Sequence, residues 1–465
     1  MAKYDVVVIG AGAAGLTAGA LLARFGKKVL IVERDAYLGG RAMAIPYEGY
    51  RLNLGGHLLE DSGSGITRIF EFLGKRLEHG VVNQGLPFWD NREGRWRPIQ
   101  ERYRVDKGEL KKIIRILCET DFQEFDRYDH LPLRAWLLEH TRSEGVIELF
   151  EYIAMAECLT EKWYDHSASD NLYVRKMHYQ EKQTAGYSFW PVGGWDGLFH
   201  TLAEAVREHG GEIRLQTRAH RVIIENGRVV AVALEPVQKA IPTEAFNLEY
   251  VDTEVVISTL PVWNVLEVVR ECDLPDWYVA QVKMLAQDRF RVCWLGFYVA
   301  SHEPIYTGTS LTELAVWFEA PHSRLPGWAF LTSGMDPTTA PPGKHLFNCG
   351  FAFQGVRDRD WIEQKFEEAE RDLAAMYPKT FTPANIIWKR RHLVAYPPFG
   401  VIQKPCLVGR YRPDYQVPSV EGLLFASETF RSRGIGVDRA ARAALTCVEQ
   451  ILGFRIPEFK DSWHY

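Results

Sequence analysis

The chain has 465 residues and a formal net charge of -5, and 46% of its residues are hydrophobic. This length favours two domains over a single core, and the mild acidity gives no electrostatic reason to expect a nucleic-acid partner. Aromatic residues make up 12% of the chain, which fits large cores as well as an aromatic-lined pocket for a flat or apolar ligand.

The seven cysteines stand at scattered positions without a C-x-x-C pair, and the 14 histidines show no close metal-ligand spacing. This pattern favours reduced thiols in a cytoplasmic protein and argues against a zinc site or a disulfide framework. We therefore expect no bound metal. The apolar stretch from Val6 to Ala23 lacks the basic region and the cleavage site of a signal peptide.

The first predicted elements are a strand, a glycine-rich loop and a helix. Tyr4 to Ile9 is an apolar run rich in β-branched residues, typical of a parallel strand buried on both faces. The loop GAGAAG, Gly10 to Gly15, follows at once, and the next residues predict a helix that ends at Gly26. In such a loop the glycines permit a tight turn and a close backbone approach to a pyrophosphate at the helix N-terminus.

A second apolar strand, Lys28 to Val32, leads directly to Glu33. Together with the loop, this acid completes the dinucleotide-binding fingerprint, in which the carboxylate accepts hydrogen bonds from the adenosine ribose. The fingerprint fits both NAD and FAD. Gly39-Gly40-Arg41 follows and places glycines and a guanidinium beside the pyrophosphate, which suits a permanently bound anion. Gly55-Gly56-His57 then offers close backbone approach to a flat ring.

The middle of the chain contains a helical pattern with a basic face. Leu110, Ile113, Ile114 and Leu117 recur at helical spacing, opposite Lys111, Lys112 and Arg115. This spacing predicts a basic amphipathic helix. A helix packed on a core and a helix lying on a membrane surface both fit the pattern.

Further along, aromatic and aliphatic residues alternate. Arg291 to Ala300 and Leu314 to Pro321 are runs of this kind, and they predict an antiparallel sheet whose inner face meets a ligand pocket. Trp361 to Tyr377 predicts a charged amphipathic helix that braces the sheet from outside.

Near the C-terminus a short apolar run stops at a carboxylate, Glu428, and a Gly-Ile-Gly step then leads into an alanine-rich helix. Free N–H groups and the positive end of the helix dipole at such a helix start stabilise an electron-rich group.

Six stretches, taken together, resemble the flavoprotein superfamily of amine oxidases and phytoene desaturases. They are GAGAAG, ERD with GGRA, LNLGGH, WPVGGWDGL, VVISTLP and FASETFRSRGIGVDRAARAAL, in that family's order from Tyr4 to about Leu452. The segment from Tyr187 to Glu235 is most similar to the phytoene desaturase and carotenoid isomerase branch.

The resemblance implies an α/β fold in which a Rossmann-type FAD-binding domain, a parallel sheet with a β-meander, is interleaved with an α+β substrate domain. We expect residues 1–60, 190–262 and 416–465 to form the FAD domain. Residues 61–189 and 263–415 are expected to form the substrate domain, which contains a mixed or antiparallel sheet.

The resemblance also implies a non-covalently bound FAD. In this superfamily the carboxylate that ends the last strand binds the flavin ribityl chain, and Glu428 matches that carboxylate. The cofactor contacts predicted from the fingerprint and the resemblance are Gly10, Ala11, Gly12, Ala14, Gly15, Glu33, Arg34, Gly40, Arg41, Gly55, Gly56, His57, Ala219, Ser258, Leu260, Glu428, Gly436 and Val437.

Catalytic residues leave little trace in the sequence, because flavin chemistry on C=C bonds requires few polar protein groups. The candidates are His57, Tyr187, Tyr396, Arg431 and Arg433. The arginines equally fit a role as anchors for Glu428, for loop carbonyls or for a substrate carboxylate, and the tyrosines equally fit aromatic packing.

The predicted function is an FAD-dependent oxidoreductase that forms, saturates or isomerises C=C bonds in a lipophilic, isoprenoid-like substrate. The alternatives are a flavin amine oxidase, a protoporphyrinogen-oxidase-like enzyme and a non-catalytic lipid carrier. We expect oxygen, a quinone or a protein carrier as the electron partner, a cytoplasmic location, and peripheral contact with the inner face of the membrane. The oligomeric state and the direction of the reaction stay open.

Overall fold

The computed structural model describes residues 3–459 except 56–58, 61–64, 83–84, 99–100, 102–103, 159–164, 181–187 and 238–247. Three of the predicted site residues, Gly56, His57 and Tyr187, lie outside the described residues. The helices are α1 Ala13–Arg24, α2 Gly65–Phe72, α3 Lys107–Glu119, α4 Leu133–His140, α5 Glu144–Cys158, α6 Ala168–Gln180, α7 Gly194–Glu208, α8 Val265–Val268, α9 Asp276–Leu285, α10 Thr332–Met335, α11 Arg359–Met376 and α12 Gly436–Leu452.

The strands belong to five sheets. They are β1 Val6–Ile9, β2 Val29–Val32, β3 Ala44–Tyr47, β4 Tyr50–Asn53, β5 Leu59–Glu60, β6 His79–Val82, β7 Pro87–Asp90, β8 Arg95–Pro98, β9 Ser188–Pro191, β10 Glu212–Arg214, β11 Thr217–Glu225, β12 Arg228–Pro236, β13 Glu249–Asp252, β14 Val256–Ser258, β15 Arg291–Ser301, β16 Ala315–Trp317, β17 Gly327–Leu331, β18 His345–Gln354, β19 Ile386–Val394, β20 Gly400–Val401 and β21 Leu423–Phe425.

The central sheet has five parallel strands in the order β10-β2-β1-β14-β21. The short apolar runs in β1, β2, β14 and β21 are buried along their whole length, as expected for a parallel sheet covered on both faces. Helix α1 packs against α7 and α12. All five strands fall inside 1–60, 190–262 and 416–465, the three segments predicted to form the FAD domain; the boundaries themselves stay a prediction.

The carboxyl ends of the parallel strands share one edge of the sheet, which explains how residues far apart in sequence meet. Glu33 follows β2, Thr259 follows β14, and Glu428 comes three residues after β21. Ligands of open parallel sheets bind at this edge. The fold therefore brings the two carboxylates singled out in the sequence to the same side of the molecule.

The remaining sheets surround this edge. Strands β11, β12 and β13 form an antiparallel meander, and an eight-stranded mixed sheet has the order β19-β15-β18-β17-β16-β7-β8 with β20 beside β15. The run predicted as a strand at 291–300 covers all of β15 except its last residue, the run at 314–321 contains β16, and the predicted brace is α11. The predicted fold class, an α/β protein with a parallel sheet, a meander and a second mixed sheet, is confirmed.

Helices α3 to α6 form a separate apolar cluster. Ile113 and Leu117 of α3 are buried within it, so this basic amphipathic helix packs on a core with its apolar face. None of the helices in the described ranges is long and apolar enough to cross a membrane.

Candidate active site at the carboxyl edge of the parallel sheet

A cavity of about 550 Å³ opens along the carboxyl edge of the parallel sheet. Its wall is formed by the loop before α1, the end of β2, the meander strand β11, the start of α12, helices α5 and α6, and the mixed sheet. A cleft of this size between two layers of the fold is typical of a cofactor or substrate site.

The glycine loop shapes the sheet side of the cavity. Gly10 has a φ of +104°, a conformation that L side chains rarely adopt, and a Cβ at Gly15 would collide with the carbonyl oxygen of Gly10. Gly12 differs, because its nearest neighbour to an added Cβ is the Gly39 oxygen at 3.8 Å. No contact within the protein requires glycine at this position, so the small residue leaves room for a ligand at the uncapped N-terminus of α1.

Replacing Gly12 with alanine is therefore expected to weaken FAD binding while leaving the fold intact. The added methyl group fits the protein but occupies the approach of the pyrophosphate, an overpacking cost of about 1–3 kcal/mol, which corresponds to roughly tenfold to hundredfold weaker binding. Reconstitution of the stripped protein with FAD, followed by absorbance, measures this change. Gly108→Ala, at an exposed glycine of α3, is the matched control, and equal affinity in both variants would contradict the assignment.

Glu33 is held at the end of β2 by the backbone. Its carboxylate accepts hydrogen bonds from the Ala11 N–H at 2.8 Å and from the Asp35 N–H at 3.0 Å. Burial raises the pKa of Glu33, and these two hydrogen bonds counteract part of that rise. The side chain lines the cavity, and its position suits the adenosine ribose hydroxyls.

Arg41 and Glu428 meet across the middle of the cavity wall. Arg41 Nη1 donates to Glu428 Oε1 at 2.6 Å and to the Phe399 carbonyl oxygen at 2.7 Å, and its Nη2 pairs with Oε2. Ser427 Oγ donates to the same carboxylate at 3.0 Å. Burial by itself would raise the pKa of Glu428, but the Arg41 charge and the hydrogen bonds from Arg41 and Ser427 lower it overall. The carboxylate is therefore a permanent anion at neutral pH.

The start of α12 forms the next part of the wall. Gly434 and Gly436 have φ angles of +108° and +50°, and a Cβ at Gly436 would meet nothing within 4 Å. The N-cap residue Ile435 offers no side-chain hydrogen bond to the helix start, so the first N–H groups of α12 are available to an electron-rich ligand.

These features fit a flavin dinucleotide. Glu33 and the meander residues Thr217 and Ala219 line the end suited to the adenosine. Gly12 and Arg41 suit the pyrophosphate, Glu428 suits the ribityl hydroxyls, and the N-terminus of α12 suits the ring. The fit rests on the space that Gly12 and Gly436 leave open. It also rests on the hydrogen-bonding groups along that space, which are the carboxylates of Glu33 and Glu428 and the guanidinium of Arg41.

Most predicted cofactor contacts lie on this wall. The lining residues are Gly10, Gly12, Ala14, Glu33, Arg34, Gly40, Arg41, Gly55, Ala219, Leu260, Glu428, Gly436 and Val437. Ala11 and Gly15 lie behind it, where Ala11 binds Glu33 and Gly15 packs on Gly10. Ser258 needs a correction, because it is fully buried in strand β14 and does not line the cavity.

The candidate catalytic residues that the structure describes are not on the cavity wall. Tyr396 is 68% exposed, and Arg431 pairs at the surface with Asp414 at 3.4 Å. Arg433 is buried, and it donates to Asp170 at 3.0 Å and Asp129 at 2.7 Å. The catalytic interpretation of Arg433 is corrected to a structural one, because its guanidinium is engaged by the carboxylates of Asp129 and Asp170 and does not line the cavity.

The family model for flavin-containing amine oxidoreductases matches residues 13–452. The chain belongs to this family. The predicted superfamily and the predicted flavin cofactor are thereby confirmed. Non-covalent attachment stays a prediction. A covalent link to the flavin would need a side chain such as a cysteine on the cavity wall, but the described wall contains no cysteine, and Cys406 is exposed and lies off this wall.

Relatives within the family include enzymes of carotenoid metabolism. The chain is 22% identical to the chloroplastic prolycopene isomerase of Daucus carota over 80% of this chain and 65% of that protein. It is 24% identical to the phytoene dehydrogenase of Streptomyces griseus over 97% of this chain and 96% of that protein. The chain matches less than two thirds of the length of the carrot isomerase.

A solved structure of similar fold is a triple mutant of putrescine oxidase, with a TM-score of 0.70 and 14% identity over 97% of this chain and 99% of that chain. At this identity the likeness concerns the fold alone.

Several lining residues of this flavoprotein were not predicted from sequence. Arg412, Arg439 and Arg442 line the cavity although each is no more than 2% exposed. Arg439 and Arg442 lie three residues apart on α12, which places them on one face. This spacing was the sequence signal that could have pointed to these arginines, but charged residues three apart on a helix normally indicate a helix face exposed to solvent. Asp170, the partner of Arg439, is too distant in sequence to reveal the burial.

Proposed function

We propose that the protein is an FAD-dependent oxidoreductase that forms, saturates or isomerises C=C bonds in a lipophilic polyene or isoprenoid-like substrate. The observation that carries this proposal is the composition of the cavity wall beyond the cofactor positions. Met155 and Met177 line the cavity there, with Val316 and Trp328 of the mixed sheet also on the wall. An apolar wall of this kind suits an extended hydrocarbon and excludes water.

The described lining residues also include no lysine, histidine, tyrosine or cysteine. Bound FAD supplies hydride transfer to or from carbon. The protein side chains then need to orient the substrate and keep the site dry, and the N-terminal amides of α12 stabilise negative charge. Such a division of work requires no titratable side chain against the reacting carbons.

The carotenoid-metabolising relatives support this substrate class, because a prolycopene isomerase and a phytoene dehydrogenase are named for long polyenes. A flavin amine oxidase is the second candidate, favoured by the fold it shares with putrescine oxidase. The described part of the cavity wall contains no lysine, which argues against an amine oxidase. A non-catalytic lipid carrier is the third candidate, and the glycines and carboxylates suited to a flavin along the described wall argue against that role.

The electron partner is proposed to be oxygen, a quinone or a protein carrier, as expected from the sequence. Only one G-x-G-x-x-G occurs in the chain, so a second nucleotide-binding domain of the disulfide-reductase type is not expected. We also propose that a lipophilic substrate reaches the cavity from a membrane surface. The protein would then make the peripheral contact with the inner face of the membrane that is expected from the sequence.

An anaerobic absorbance titration tests the proposed function. Purified holoprotein is mixed with a linear polyene, a prenylated quinone and a small primary amine, in separate cuvettes, before and after reduction with dithionite. We expect the polyene to bleach the oxidised flavin bands or to restore them after reduction, with the altered polyene identified by mass spectrometry. Bleaching by the amine alone would contradict the proposal, and protein stripped of flavin is the control for non-enzymatic change.

A further inference from the structure

One aromatic side chain lies on the apolar part of the cavity wall, away from the positions assigned to FAD. The described lining contains three aromatic residues, Trp195, Trp328 and Phe399. Trp195 packs with Phe199, whose ring touches the glycine pair before Arg41, and the Phe399 carbonyl oxygen accepts a hydrogen bond from Arg41. Trp328 is placed differently, in strand β17 of the mixed sheet.

The mixed sheet holds Trp328 at a distance from the ribityl position. Where this sheet borders the cavity, its strands run in the order β20, β15, β18, β17 and β16. Gly400 of β20 lies next to Glu428, because a Cβ added to this glycine would be 3.6 Å from Oε1. Three strand spacings, about 14 Å in all, separate β20 from β17. Trp328 therefore borders the apolar end of the cavity, together with Val316 of β16.

The indole of Trp328 lies over the backbone of Gly350 in β18. The two residues are cross-strand partners, and a Cβ added to Gly350 would lie 2.3, 2.4 and 2.9 Å from three carbons of the six-membered ring. This close approach requires glycine beneath the ring. None of the described lining residues belongs to β18, so the indole covers this strand where the sheet borders the cavity.

Trp294 supports the indole from the side. The two rings make an edge contact, with centroids 5.4 Å apart and planes at 85°, and Trp294 also packs on Phe399 at 4.7 Å. Trp328 is 4% exposed and Trp294 is 1% exposed. Other apolar lining residues include Met155 and Met177, whose unbranched side chains adapt to the shape of a ligand. Trp328 is therefore the rigid, flat part of the apolar wall.

We propose that Trp328 is a specificity-determining residue that selects a flat, conjugated polyene. The proposal rests on the proposed function and deepens it by choosing a polyene over an unconjugated isoprenoid. A conjugated chain is planar and rigid, and stacking of its π-face on the indole stabilises the complex beyond the area that it buries. An unconjugated isoprenoid bends at each saturated carbon and loses conformational freedom when it lies along a flat wall.

A binding experiment without turnover tests this inference. Oxidised holoprotein is titrated with all-trans-retinol and with geranylgeraniol, two isoprenoid alcohols with the same number of carbon atoms, of which only retinol is conjugated. The perturbation of the flavin absorbance gives each dissociation constant. We expect retinol to bind at least about threefold more tightly. Equal affinity of the two alcohols for the wild-type protein would overturn the proposal, whether or not either alcohol reacts.

Variants decide whether this preference comes from the indole, because a rigid chain is favoured in any narrow cavity. Trp328→Leu should bind the two alcohols with nearly equal affinity. Trp317→Leu is the matched control, since Trp317 follows Val316 in β16, points to the opposite face of the sheet and does not line the cavity. If the leucine variants lose their flavin, Trp328→Phe and Trp317→Phe give the same comparison. An unchanged preference in the Trp328 variant would overturn the proposal.

Gly350→Ala is an independent test, because the new methyl group has to push the indole into the cavity. We expect both alcohols to bind roughly tenfold more weakly, and we expect Trp328→Leu in the same protein to restore the binding of geranylgeraniol. Wild-type binding in Gly350→Ala, or no rescue in the double variant, would contradict the proposed wall. A retinol preference that depends on Trp328 in a protein that oxidises only amines would sustain the wall and reject the proposed function.

Discussion

Replacing Glu428 with leucine is expected to release the flavin and leave a folded protein. The carboxylate is positioned by Arg41 and Ser427 and suits the ribityl hydroxyls. Hydrogen bonds to a charged group contribute about 1.5–3 kcal/mol each, so the loss of two corresponds to a decrease in FAD affinity of more than about a hundredfold. Flavin occupancy of the purified variant, and its dissociation constant after reconstitution, measure the effect.

Glu428→Gln is the matched control, because the amide keeps an acceptor at the same position but loses the charge. We expect it to retain FAD more tightly than the leucine variant and less tightly than the wild type. Full flavin occupancy in Glu428→Leu would show that the ribityl chain lies elsewhere.

The pH dependence of the wild type provides a second check on Glu428. Its pKa in the folded protein is below the ordinary value of 4.5. The stability from its ionised form is therefore fully present above pH 4.5 and is lost as the pH falls through the lowered pKa. The stability difference between the wild type and Glu428→Gln should shrink only under those acidic conditions.

Replacing Arg433 with leucine is expected to lower the free energy of unfolding by about 3–5 kcal/mol, the typical cost of removing one partner of a buried ion pair. Arg433 is 3% exposed, and its guanidinium holds Asp126, Asp129 and Asp170 together. Without it, Asp129 loses its only ion pair within the described residues. Urea unfolding followed by tryptophan fluorescence measures the change.

Arg431→Leu is the control for this experiment, because the side chain is 47% exposed. Its effect should stay within about 0.5 kcal/mol. Wild-type stability in Arg433→Leu, together with lost turnover at full flavin occupancy, would contradict the structural role and restore the catalytic one.

The dinucleotide-binding half of the site could be predicted from sequence because it is built by residues that lie close together in the chain. A tight turn, a helix N-terminus and an acid at the end of the next strand have fixed spacings. Glu33 and Gly12 therefore take their expected places. Glu428 could be placed only by resemblance, since its approach to Arg41 depends on the order of strands in the sheet.

The substrate half could not be predicted in the same way. Arg433 and Arg439 are buried because Asp170 of α6 faces them, and no local pattern reveals a partner more than 250 residues away. Tyr396 follows the edge strand β19 and remains exposed, although its sequence context is aromatic. Side chains that meet through tertiary packing have no characteristic spacing. This explains why Tyr396, Arg431 and Arg433 lie off the cavity wall and why Arg412, Arg439 and Arg442 were not predicted.

The absorbance spectrum of the purified protein, taken before and after heat denaturation, is the most direct test of the account. The cavity is assigned to FAD held by Gly12, Glu33, Arg41 and Glu428 without a covalent bond. We predict flavin bands in the native protein and complete release of FAD into the supernatant after denaturation. A protein that shows no flavin even after incubation with FAD, or flavin that stays with the precipitate, would contradict it.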